Sequence, residues 1–296
     1  MSVPYYCIDS NGVIPMKLMY QIDDFTLEVA VDPSVEFTTG EDTVLATEYN
    51  DLALEQDWKE KGYTVVDASE AFDFTEVKRD ITNILRSILS EMTPERDLST
   101  FTLETYHHYV DDALHYQVIG KTRRLYPIDF GFHEQTLVDF LGQQLQTHLG
   151  YMNPVYKAKQ WIIVRINRPN TIGFNPIHKD IYELHDGFGD IPRMINVWIP
   201  ICGVEGKTGL PIAPSSHLIA ESQIFRTKAG SIIEGQRYSV NCIQQWDSST
   251  QLKTMCPEEG EMLVFSSHLI HGLAKNYHSD TTRISLEFRL YEQPQS

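Results

Sequence analysis

Positive charge is scarce in this sequence. Its 296 residues carry 24 Lys and Arg against 41 Asp and Glu, a formal net charge of −17. Phosphate backbones and anionic lipid surfaces are gripped through clustered Lys and Arg, so no nucleic acid and no membrane is expected as a partner. The one compact basic cluster, Lys121-Thr122-Arg123-Arg124, reads as a solvated surface turn. Cysteine is scarce too. Cys7, Cys202, Cys242 and Cys256 lie far apart without C-x-x-C spacing, which argues against a zinc ribbon or a disulfide framework and fits a reducing cytoplasm. No run of 18 apolar residues occurs, so no transmembrane helix is expected. The start MSVPYYCIDSNGVIP lacks a basic opening and a continuous apolar stretch, so it does not read as a signal peptide. No internal repeat or low-complexity linker divides the chain. A single domain over 1–296 is expected, as a monomer or homodimer acting on a small molecule.

What is present changes texture along the chain. Residues 1–55 read as an extended N-terminal extension, with alternating pieces such as Leu27–Val31 between turn-rich segments. Gly62–Val66 reads as a strand. An amphipathic helix follows near Thr75–Met92, with Val77, Ile81, Ile84, Leu85, Ile88 and Leu89 on one face and Thr75 as N-cap. A second helix is expected near Thr100–His115 and a third near Glu134–His148. The histidines of the second, His107, His108 and His115, do not share one helical face, so packing and surface roles are expected for them. From residue 160 onward, short β-rich runs take over: 161–166, 195–201, 231–233, 261–265 and 283–288. Their spacing indicates a sandwich or barrel. The segment 225–256 is long for a strand connection and is expected as a lid insertion or a hairpin.

Within the β-rich half, His178-Lys179-Asp180 places an imidazole and a carboxylate two residues apart, on one face if the segment is a strand. Ser266-Ser267-His268-Leu269-Ile270-His271-Gly272 offers two further histidines. His271 is preferred, since Gly272 permits close backbone approach. Two imidazoles and one carboxylate are the facial ligand set that holds Fe(II) and leaves positions open for substrate and O₂. Arg283 adds a planar fork for a carboxylate, and Ser285, two residues on, faces the same way.

These residues and their surroundings resemble the phytanoyl-CoA dioxygenase-like group of Fe(II)/2-oxoglutarate oxygenases. Asn196–Ile201 followed by Gly209-Leu210-Pro211-Ile212-Ala213-Pro214-Ser215-Ser216-His217 resembles that group's strand and its G-x-L-x-x-x-P-G-S-H turn, with Ser215 in place of the usual glycine. Gly260–Phe265 ending in His271-Gly272 resembles its G-D-x-x-x-F…H-G element. Asn276, Ser279 and Arg283 continue the N-x-S…R pattern, with an asparagine-to-serine interval of three rather than two. Lys61–Val66 resembles the group's N-terminal strand. The resemblance covers about 58–290. It implies a mainly β fold with flanking α-helices, a double-stranded β-helix (jelly-roll, cupin-like) barrel. It implies Fe(II) on His178, Asp180 and His271, and 2-oxoglutarate anchored by Arg283 with Ser285. Trp198 falls where the group carries an aromatic beside the co-substrate, and Asn196 shares its strand face. The implied reaction consumes O₂, releases succinate and CO₂, and hydroxylates an unactivated C–H bond of a small metabolite or natural-product intermediate. Halogenases of this pattern replace the carboxylate with a small residue, and Asp180 is intact. Desaturation, cyclisation and epoxidation stay open, as do a cupin-like metal hydrolase and a non-catalytic metabolite-binding barrel. Strand parity and closeness to the ligands nominate Arg165, Asn167, Tyr182 and Arg289 as substrate contacts.

Overall fold

A computed structural model describes residues 16–71, 73–131, 134–159, 161–172, 175–184 and 191–294. Its backbone is a curled β structure carrying three helices on one side. The larger wall runs in the order 63–67, 261–266, 194–202, 283–292, with 163–167 and 149–150 both paired to the far edge of 283–292. The opposite wall orders 210–212, 251–255, 16–22, 25–31, 231–233 and 236–238, and a small sheet of 243–246, 224–227 and 37–38 extends it.

Alternation on the larger wall fixes what the barrel encloses. Ile195, Val197, Ile199, Met262, Val264, Ile284, Leu286, Phe288 and Leu290 point outward into one buried cluster with the helices. Their neighbours, which include Asn196, Trp198, Arg283, Ser285 and Glu287, occupy the other face. Because one face meets helices and the other meets the interior, eight of the nine residues of Met194–Cys202 are buried. The opposite wall supplies its own core from Leu18, Tyr20, Val29, Ile224, Ile243 and Trp246.

Helix α1, Phe74–Met92, seats Val77, Ile81, Leu85 and Leu89 fully in the cluster on the outer face of the larger wall, each contributing about 1.5–3 kcal/mol by burial. Its N-cap is Asp73, not Thr75: the Asp73 carboxylate accepts from Glu76 N at 3.0 Å. The expected helix over Thr100–His115 does not form. A 3-10 turn at Tyr106–Tyr109 precedes helix α2, Asp112–Thr122, whose start is fixed by the Asp111 carboxylate accepting from Leu114 N at 2.8 Å. Helix α3 spans Glu134–Leu145. Residues 16–31 form a hairpin that joins 251–255 to 231–233, and 224–255 supplies five strands. Residues 16–31 of the extension, whose first 15 residues lie outside the described ones, and the strands of 224–255, where a lid insertion or a hairpin is expected, are thus paired into the sheets. No described helix is long and apolar enough to cross a membrane.

Buried His115 packs against the Tyr106 hydroxyl, 3.0 Å from its Nδ1, and burial followed by Arg168 pushes its pKa down to about 4. The folded state therefore binds fewer protons than the unfolded one between about pH 4 and 6.5. Stability is full above that window and falls as pH drops through it, by up to about 3 kcal/mol. Urea midpoints measured from pH 7 to 4 should show this fall, and His115→Gln should shrink it.

Candidate metal centre and co-substrate pocket

Three extended segments lie side by side at the heart of the barrel. His178 N donates to His271 O at 2.9 Å, His271 N donates to His178 O at 3.0 Å, and Ile212 bridges His271 from the other side. Residues directly opposite across antiparallel segments project the same way, so this pairing sets the two imidazole centroids 4.5 Å apart. Each Nδ1 donates to a carbonyl two residues earlier, His178 to Pro176 O at 2.8 Å and His271 to Leu269 O at 2.9 Å. A carbonyl only accepts, so Nδ1 carries the hydrogen in both rings and the Nε2 lone pairs turn toward the site. Asp180 completes the triangle, with Oδ1 3.3 Å from His178 Nε2 and Oδ2 3.8 Å from His271 Nε2. It opens a 3-10 turn, Asp180–Leu184, instead of continuing a strand. All three residues are buried and their ligand atoms lie within 4.8 Å of one another. His268 takes no part: it is buried outside the group, and its N–H donates to Ser266 Oγ at 3.0 Å.

Burial would raise the Asp180 pKa, but Arg289, then His271 and His178, hold it well below the usual carboxylate range. Arg289, nominated as a substrate contact, instead donates through Nη2 to Asp180 Oδ1. It braces the Asp180 carboxylate within the candidate metal group. Replacing such a partner typically costs 10–100-fold in metal affinity. Arg289→Leu should weaken Fe(II) binding by about that factor while leaving the KM for 2-oxoglutarate unchanged at saturating iron.

Tyr182, also nominated, turns away as well. Its hydroxyl donates to Glu221 Oε2 at 2.7 Å, and its ring lies 4.8 Å from the Arg226 guanidinium. Lys179, which lies between His178 and Asp180 in sequence and is fully buried, donates through Nζ to Glu221 Oε1 at 3.0 Å. This network braces the His178–Asp180 segment from behind. Glu221 carries no sequence signal, since its partners are distant in the chain.

The strand Arg283–Glu292 carries the rest of the site on one face. Arg283 is only 1% exposed. Its Nε donates to Thr208 O at 2.6 Å, and its Nη1 donates to Asn167 Oδ1 at 2.9 Å and to Ser285 Oγ at 3.4 Å. Burial pushes its pKa down to about 10, so it stays a cation at neutral pH. Trp198 lies with its ring centroid 5.3 Å from the guanidinium carbon. The Nη2 atom is buried and has no hydrogen-bond partner among the described residues. The cavity beside it is lined by His178, His271, Trp198, Arg283, Arg165 and Glu287, which joins the two histidines of the triad and the arginine in one space. Arg165 grips Glu287 with both Nε and Nη2, at 2.8 and 2.9 Å. Burial would raise the Glu287 pKa, but Arg165 holds it low. Sequence reasoning misses Glu287, although it stands between Ser285 and Arg289 at the same parity. Asn167, nominated for substrate, is a brace for Arg283. Asn196 pairs with Arg289 across the sheet and does not line this cavity.

The Phytanoyl-CoA dioxygenase (PhyH) family model matches residues 58–285. The chain belongs to the phytanoyl-CoA dioxygenase family. No curated protein matches it. Similar solved structures include EctD from S. alaskensis in its apoform, 14% identical, covering 88% of this chain and 85% of that chain at a TM-score of 0.44. AviO1 from Streptomyces viridochromogenes Tue57 is 13% identical and covers 85% of this chain and 100% of that one, at 0.42. The epimerase SnoN in complex with Fe³⁺, alpha ketoglutarate and nogalamycin RO is 12% identical and covers 81% and 82%, at 0.40. The fold is the family's jelly-roll, and the chain is an oxidoreductase of the iron- and 2-oxoglutarate-dependent dioxygenase class. Its cofactors are Fe(II), 2-oxoglutarate and O₂. The residues fit them. Imidazole and carboxylate donors suit Fe(II), and the unpartnered Arg283 Nη2 suits a carboxylate.

Proposed function

We propose that this dioxygenase hydroxylates an unactivated C–H bond of a small metabolite or natural-product intermediate. One observation carries the reading: a buried guanidinium with one donor atom unpartnered opens onto the same cavity as both histidines of a buried His-Asp-His triad. A hydrolase or a passive binding barrel gives that donor no occupant. Bound Fe(II) would use O₂ as the oxidant and 2-oxoglutarate as the co-reductant, one oxygen atom entering the C–H bond and the other entering succinate as CO₂ leaves. His178, Asp180 and His271 would hold the metal on one side and leave the cavity side open. Arg283 would take the distal carboxylate of 2-oxoglutarate, with Asn167, Ser285 and Thr208 fixing the fork. Trp198 walls that pocket and excludes water, which strengthens the charge–charge contact. The Arg165–Glu287 pair borders the same cavity and limits what enters beside the metal. Asp180 fills the position a halide would need, so hydroxylation is favoured over halogenation. The same reading keeps small molecules as the ligands and a monomer or homodimer in the cytoplasm as the setting. Turnover of candidate substrates under ¹⁸O₂ tests it. The expected product gains one labelled oxygen and appears with an equal amount of succinate. A product lacking two hydrogens and any label would sink hydroxylation in favour of desaturation.

A further inference from the structure

His107 and His108 are neighbours in the 3-10 turn Tyr106–Tyr109, far from the triad in sequence and on the outer side of the fold. Their ring centroids are 4.1 Å apart, and both Nε2 atoms lie 2.9 Å from one oxygen, Asp280 Oδ1. The three ligand atoms fall within 4.8 Å of one another, so a second group with metal-binding spacing exists among the described residues. Consecutive residues seldom aim side chains at one point, and here the turn makes them do so. The His107 ring is also braced from behind. Thr282 Oγ1 lies 2.9 Å from its Nδ1 and accepts from its backbone N–H at 3.2 Å. Bracing of the remote ring nitrogen is what metal-binding imidazoles commonly have. An ion would take the place of the two hydrogens that the rings now direct at Asp280.

We propose that His107, His108 and Asp280 form a second metal site, for a zinc-class divalent transition ion. Two imidazoles and a carboxylate suit Zn(II), Co(II), Ni(II) or Cu(II), whereas Mg(II) and Ca(II) require oxygen donors. The side chains of His108 and Asp280 are 53% and 74% exposed, so an ion reaches the site from solvent without passing through the barrel. Its place in the fold assigns it a role. Asp280 and Thr282 lie on the loop that delivers Arg283, and Thr282 N donates to Glu104 O at 2.8 Å. An ion bridging 107–108 to 280 would clamp that loop to the segment beside it and hold the start of the Arg283 strand.

The test counts bound metal. The tag-free full chain, stripped with chelator, is dialysed against Co(II), and the ion retained is compared with that in His108→Ala/Asp280→Ala. Both replaced side chains are exposed, so the variant keeps its fold. The variant is expected to retain one equivalent fewer, with the corresponding visible absorption lost. Equal retention in the two chains overturns the proposal, whatever the triad holds, because only the difference reports on this site. A parallel measurement in a His178→Ala background should show the same one-equivalent difference.

Discussion

Arg283→Gln is expected to raise the KM for 2-oxoglutarate by about two orders of magnitude. A charge-assisted contact with a carboxylate is worth roughly 1.5–3 kcal/mol, and losing one partner of a buried charge pair costs more, about 2–5 kcal/mol. The shape of the loss is as informative as its size. Three donations of the guanidinium already serve protein acceptors: Nε at Thr208 O, and Nη1 at Asn167 Oδ1 and Ser285 Oγ. Nη2 is the nitrogen left for a ligand. Arg283→Lys keeps the charge without the fork, so it should lose less than glutamine does and still bind measurably weaker than wild type. Initial-rate kinetics at varied 2-oxoglutarate, with iron saturating, separates these cases. Unchanged KM in both variants would remove Arg283 from the co-substrate site.

Gly272→Ala is expected to damage the metal centre and the fold together. Gly272 has φ +135, and a Cβ there would lie 2.2 Å from Pro176 O and 3.3 Å from His178 Nδ1. Those two atoms are the partners in the hydrogen bond that orients His178. Backbone strain of about 1–3 kcal/mol adds to overpacking of about 1–3 kcal/mol, and the imidazole is displaced. Loss of Fe(II) binding by about 100-fold or more is expected alongside a clear fall in the thermal midpoint. Gly206 provides the control. It has φ +50, and a Cβ added there would meet nothing within 4 Å, so Gly206→Ala should lower stability by only about 1 kcal/mol and leave iron binding intact.

The parts of the site legible in the sequence are those set by short-range parity. Arg283 and Ser285 share a strand face, and so do Glu287 and Arg289, although their partners cannot be read without the fold. Arg289 lies on Asp180 and Arg165 on Glu287, because the pairing of 283–287 with 163–167 and of 284–291 with 194–202 decides which side chains meet. The preference for His271 over His268 rests on the glycine after it, and the close approach of Gly272 to Pro176 gives the physical reason. The second helix starts later than apolar spacing over 100–115 suggests, because the consecutive aspartates at 111 and 112 are the stronger start signal. Ser215, which stands where the family resemblance has glycine, adopts φ +65. Its hydroxyl donates to Glu60 O at 2.7 Å, which offsets part of the strain. The pairing of His107 and His108 with Asp280 joins segments more than 170 residues apart, beyond the reach of helical spacing.

Anaerobic addition of Fe(II) and 2-oxoglutarate tests the central claim most directly. A weak visible absorption from the metal-bound co-substrate should appear with wild type, require far more 2-oxoglutarate in Arg283→Gln, and be absent in His178→Ala. No absorption in the folded wild-type chain, or equal absorption in His178→Ala, would contradict the account.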